Sequence, residues 1–304
     1  MTVTASSFTG VDFTRLPTPS AVDALDYETI LAARKASFLA ICTAAGIDYS
    51  ALSESDSAIK LLEAGAYREM VVRADFNAAV LSILAPYAEG ADADALFALL
   101  DAERLILTPA DAANGVAEVD EDDTTFRNRA VLSTQGYSVA GPSGAYLAWA
   151  KAADGAVADV SVDSPTPGTV VVTVLATTED GTPTDTTLAN VAAKLSDATI
   201  RPLTDNVVVQ AAQILPYAVV AAPTFFAGAS RPVALAAAQS KVAAYVAACK
   251  LLGWPITRDG LTGAIVQPGV AEANLSSPAT DILPTGAQAG NCTSIAITDG
   301  GLFG

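Results

Sequence analysis

Leu62, Gly65, Val72, Phe76, Val80, Ile83 and Tyr87 recur at helical spacing, and no proline interrupts them before Pro86. That stripe predicts a helix from about 57 to 85, roughly 40 Å long at 1.5 Å per residue. A small compact domain needs less. A preceding stripe, Tyr27, Ile30, Leu31, Phe38, Ile41 and Ala45, carries Arg34 and Lys35 midway and stops at Gly46, which predicts an amphipathic helix over 23–45. The stretch "DADALFALLDAERL" adds a third, with Asp92 or Asp94 as cap and Leu96, Phe97, Leu99 and Leu100 as its apolar face.

The segment 108–123, "TPADAANGVAEVDEDD", mixes Pro, Gly and Ala with a closing acidic run and reads as a linker or long loop. Beyond it the pattern changes. Helices are expected near 125–133, 145–153 and 187–196, and strands at 157–163 and 169–177. Arg201 and Pro202 are expected to end the third of these helices, since a residue before proline avoids the helical region. A strand from Asn206 is expected to continue through "ILPYAVVAA". Ser230 and Pro232 open an alanine-rich helix expected to reach Leu252. A shorter helix near 261–267 and strands near 270–275 and 292–298 follow.

"VADVSVDSP" at 157–165 matches "VAEANLSSP" at 270–278 without a gap at several positions, which suggests two lobes of related shape. The expected fold is therefore α+β: an N-terminal helical region with long helices over 1–113, and two mixed α/β lobes over 114–205 and 206–304.

Composition narrows the function. Of 304 residues, 51% are hydrophobic and 16% charged, enough for well-supplied cores. A net charge of −17 opposes a nucleic acid or an anionic membrane as partner. Cys42, Cys249 and Cys292 lie far apart without C-x-x-C spacing, so neither a disulfide framework nor a zinc site is expected. The opening "MTVTASSFTG" lacks the features of a secretory signal, and Pro216 and Pro223 interrupt the longest apolar run, 214–229. Synthesis and folding in cytoplasm are expected. There is no histidine, which removes Ser-His-Asp and Cys-His pairs and imidazole metal ligands.

The remaining candidates for chemistry are weak. "GYSVAG", with Ser138, has Ala140 where a nucleophile elbow needs its second glycine. "DEDD" at 120–123 lacks the spacing of a calcium loop. Glu179, Asp180 and Asp185 belong to a turn, and the corner from Arg201 to Asp205 reads as backbone architecture.

The centre of the chain resembles the baseplate J-like family, wedge proteins of contractile phage tails and related injection machines. Three groups carry the likeness: Phe126, Arg127 and Arg129 in "DDTTFRNR"; Gly136, Ser138, Gly141 and Tyr146 in "GYSVAGPSGAY"; and Arg201, Pro202, Leu203, Thr204 and Asp205 in "RPLTD". "SPTPG" and "DGTP" lie between them. The resemblance extends to "LPTPSAVDALDYETILAARKASFLA", to the helical stretch beginning "LLEAGAYREM", and to "PGVAEANLSSPATDI". It implies a structural, non-enzymatic wedge subunit with no cofactor or metal, placed in the virion tail baseplate. The partners it implies are a second copy of the chain, a smaller wedge protein, neighbouring wedges, hub and sheath proteins. Wedges would join in a six-fold ring and relay the trigger for sheath contraction.

The long apolar stripes suit such assembly. The expected surface comprises Tyr27, Leu31, Phe38, Leu62, Val72, Phe76, Val80 and Ile83, with Arg34, Lys35, Arg68 and Arg73 setting register. The alternative is a phage-associated carbohydrate-active enzyme using a carboxylate pair. Only Trp149 and Trp254 would then offer tryptophan faces for sugar stacking. A secreted adhesin would need the missing signal segment.

Overall fold

The computed structural model describes residues 16–19, 21, 26–49, 56–138 and 140–303. They fall in two compact units, one within Asp12–Glu103 and one within Arg104–Gly304. The fold is α+β, and the expected division at 113/114 lies inside the second unit.

In the first unit, α1 (Tyr27–Ala44) begins where Asp26 accepts the Thr29 N–H at 2.9 Å, and the chain leaves it at Gly46, whose φ is +70°. The longer α2 (Ser57–Ser82) is capped by Asp56, which takes the Ala58 N–H at 2.9 Å and the Tyr49 hydroxyl at 2.7 Å. It stops three residues short of expectation because Ala85, before Pro86, is disfavoured in helical conformation. Ile30 and Leu31 of α1 pack on Ala66 of α2, with Tyr27, Leu62 and Met70 around them. Arg34 lies across Gly65, where an added Cβ would sit 2.6 Å from the guanidinium. Arg34 and Arg73 share Glu69 at 2.9 and 2.6 Å. In α3 (Gly90–Phe97) the chain turns at Gly90, φ +52°, so Asp92 lies in the first turn and Asp94 further in rather than at the cap.

The second unit opens with β1 (Ile106–Thr108) and β2 (Val119–Asp120), an antiparallel hairpin where a linker was expected. Asp111 organises its tip by accepting the N–H groups of Ala113 and Asn114, and Gly115 adopts φ +69°. Then come α4 (Asp123–Ser133), α5 (Ser143–Lys151), β3 (Val157–Thr166), β4 (Thr169–Ala176), α6 (Asp185–Leu195) and β5 (Asn206–Ala211). β3 and β4 form a hairpin, and α6 is the crossover that brings β5 back parallel to β4. Val160, Val172 and Val174 meet Leu132, Tyr146, Leu147, Val191 and Leu195 in the central core.

The remaining elements are β6 (Gln213–Ala221), β7 (Thr224–Phe225), α7 (Arg231–Ala248), α8 (Arg258–Ile265), β8 (Val270–Glu272), β9 (Leu275–Ser277) and β10 (Gln288–Ile297). They build a sheet in the order β10-β6-β9 over a core of Tyr217, Val219, Val242, Ile256, Leu261 and Ile265. The lobes meet through Leu175, Ala212, Leu252 and Ala289. Asp159 accepts the Leu252 N–H at 3.1 Å, Lys250 donates to the carbonyls of Thr178 and Glu179, and Ser161 donates to the Gly286 carbonyl at 2.5 Å.

Several expectations are corrected. α6 ends at Leu195, so Arg201 and Pro202 do not stop it; turns over 197–205 intervene. β5 pairs with β4 in the central sheet, immediately after the expected 205/206 division. β6 is not a continuation of β5, because it joins another sheet. α7 stops at Ala248, short of Leu252. The echoed segments differ as well: 157–165 is one strand, whereas 270–278 holds two, bent at Asn274 with φ +43°.

Candidate assembly surface and signature residues

One face of α2 meets α1; the residues on another face meet water. At 100° per residue Leu61, Val72, Phe76 and Ile83 share that outward face with Arg68. Val72, Phe76 and Ile83 are 52%, 53% and 69% exposed, and Leu61 and Tyr67 are also exposed. The eight residues expected as the surface therefore divide. Val72, Phe76 and Ile83 point outward, Phe38 and Val80 are half-buried, and Leu31 is buried core with Tyr27 and Leu62 packed against it. The correction has a simple cause: Leu31 completes the α1–α2 contact. Leu61 and Tyr67 were missed, although Leu61 stands eleven residues before Val72, three turns along the same face.

The signature residues gather at three points in the central lobe. At the first, Arg129 donates through Nε and Nη2 to Glu121 at 3.0 and 2.6 Å, and the two side chains are only 9% and 3% exposed. Buried Phe126 lies between Arg104 and Arg129, whose guanidinium carbons are 4.8 and 5.5 Å from the ring centre. Arg104 also donates to the Glu121 carbonyl and pairs with Asp123. Arg127 donates to the Thr124 hydroxyl at 3.3 Å. Glu121 had been read only as part of a solvated acidic run; Arg129 eight residues on was its signal.

At the second, Gly136 lies under Trp149, where a Cβ would be 3.0 Å from the indole, and Lys194 sits 5.0 Å over that ring. Ser138 is exposed at the end of a short 3-10 turn.

The third point is the corner itself. Buried Tyr146 donates its hydroxyl to Asp205 at 2.7 Å, Arg201 donates to the Asp205 carbonyl, and Gly141, φ +70°, lets Pro202 approach so closely that a Cβ would be 2.7 Å from its ring. Burial first, then the Asp205 bond, pushes the Tyr146 phenol upward. Thr204 is exposed, and Leu203, at the tip, is 100% exposed. The Asp205 carboxylate serves a side-chain donor from α5 rather than the backbone donors expected for it.

Among the described residues no group of three His, Cys, Asp or Glu could hold a metal ion, and no helix is long and apolar enough to cross a membrane. Paired charges and close-fitting glycines pack the central lobe, and apolar side chains face outward from a long helix.

A family model of the baseplate J-like N-terminal domain matches residues 54–111, and one of the baseplate J-like central domain matches residues 138–211. Baseplate protein J of Escherichia phage P2 is 36% identical over 296 residues, 96% of this chain and 98% of that protein. The chain belongs to the baseplate J-like family and is a structural baseplate protein, not an enzyme. The carbohydrate-active alternative draws no support from these similarities.

Proposed function

We propose that this chain is a wedge subunit of a contractile-tail baseplate, assembled in the bacterial host cytoplasm and carried in the virion tail. It pairs with a second copy of itself and with a smaller wedge protein through the outward face of α2. Wedges then close a six-fold ring around the hub, and a shift in their arrangement is relayed to the sheath.

The observation that carries this reading is the row of Leu61, Val72, Phe76 and Ile83, open to solvent on a helix inside the family-matched N-terminal domain. An apolar row of that length on an isolated chain marks a protein interaction surface. The signature residues serve the packing of the central lobe itself. The test is electron microscopy of purified particles with a tag on this chain. Density at the baseplate, repeated around the six-fold axis, is expected, and label on the shaft or capsid would refute the assignment.

A further inference from the structure

The hairpin β1–β2 joins no larger sheet among the described residues. All residues from 106 to 120 are exposed, yet the segment is folded: Asp111 and Val116 exchange backbone hydrogen bonds at 3.0 and 2.9 Å, and Glu121 N–H closes the base on the Leu105 carbonyl at 2.9 Å. Its root is seated on Gly155, where an added Cβ would be 2.7 Å from the Leu107 side chain. Neither strand pairs with a third among the described residues. A two-stranded hairpin with no covering layer is marginal in water. This one nonetheless leaves Ile106, Leu107, Val116 and Val119 about half exposed.

Charge selects the occupant. Asp111, Glu118 and Asp120 lie within the hairpin, which holds no lysine or arginine. The whole chain carries −17, so a second copy would meet the arm with like charge. An apolar strip rimmed by lysine or arginine would satisfy both the valines and the carboxylates.

We propose that residues 106–120 form a docking arm that inserts into a basic, apolar-floored face of a different protein of the particle, one distinct from this chain. The inference rests on the baseplate reading above. The arm contributes apolar side chains and two open strand edges to the contact, and its acids fix the approach.

The test places a photo-crosslinking residue at Val116 or Leu107 of the full chain, assembles particles, and maps the crosslinked peptides by mass spectrometry. The expected product joins the arm to another particle protein within a segment containing lysine or arginine. Glu118→Lys with Asp120→Lys should lower its yield about tenfold without changing the melting of the isolated chain. A crosslink to a second copy, to the same chain or to nucleic acid overturns the proposal, as does an unchanged yield in the charge-reversed variant. So does the absence of any crosslink in particles that contain the chain. Amide exchange of the unmodified protein gives a second reading: slowed exchange over 106–120 in particles supports docking, and equal rates in particles and free chain refute it. If the chain is missing from particles altogether, the baseplate reading falls and the arm proposal falls with it.

Discussion

Tyr146 on α5 and Asp205, the residue before β5, are joined by a single hydrogen bond of 2.7 Å across 59 residues of chain. It ties the helix layer of the central lobe to the corner that precedes its parallel strand. Tyr146→Phe should cost about 1.5 kcal/mol, the low end for a bond to a charged acceptor, because Asp205 is half-buried rather than sealed. Asp205→Ala should cost a similar amount, and the double variant little more than either, as read by urea unfolding. Since the phenol is raised in the folded state, its contribution is whole below the ordinary tyrosine value of 10.0 and declines as pH climbs beyond it. Tyr146→Phe should flatten that alkaline slope.

Gly141→Ala combines a left-handed φ of +70° with a Cβ 2.7 Å from the Pro202 ring. A loss of about 1–3 kcal/mol is expected by thermal unfolding. Adding Pro202→Ala should recover only the part due to the clash, leaving the backbone strain.

Removing one member of the buried Glu121–Arg129 pair leaves a charge without its partner. Glu121→Gln or Arg129→Met should therefore destabilise by about 3–5 kcal/mol. Replacing both with Met should cost less than either single change, and chemical denaturation of the three variants decides it.

The helix α4 is capped by Asp122, which accepts the Thr124 and Thr125 N–H groups and the Thr125 hydroxyl. The Thr125 hydroxyl chiefly, and then those N–H groups, hold the carboxyl below its ordinary value of 3.8. The cap's stabilisation is thus present above that value and is lost as pH falls through the lower folded-state value. Asp122→Ala should cost about 1 kcal/mol near neutrality and make the acid limb of a stability–pH profile shallower.

Phe76→Ser with Ile83→Ser should lower the melting temperature of the isolated chain only slightly, because both residues are more than half exposed. Leu31→Ser should unfold the helix pair. If the first variant keeps its fold and still enters particles normally, the outward face of α2 is not the assembly surface.

The long helices were legible because their apolar spacing is sustained and their stops, Gly46 and Pro86, are local signals. The direction of the stripe was not. α2 carries apolar residues on more than one face, and only the position of α1 separates Leu62 and Ala66, inside, from Leu61 and Val72, outside.

The break between β5 and β6 was hidden for a similar reason. Alternation runs on through Ala212, and what divides the strands is the pairing of β6 with β10, more than seventy residues later. The arm was misread from its composition, although Asn114-Gly115 is a hairpin signal. The R-P-L-T-D corner is expected to be architecture, and the side chain that meets its Asp205, Tyr146, lies on another element and left no local trace.

Ala212 is the lone residue between β5 and β6, and each of those strands has a parallel neighbour, β4 on one side and β10 on the other. From Asn206 to Ala221 the backbone is therefore laddered to strands of both lobes with one residue between the two ladders. The lobes are spliced like overlapped cords, and the chain passes from the corner by Asp205 to the far end of β6 without a slack loop.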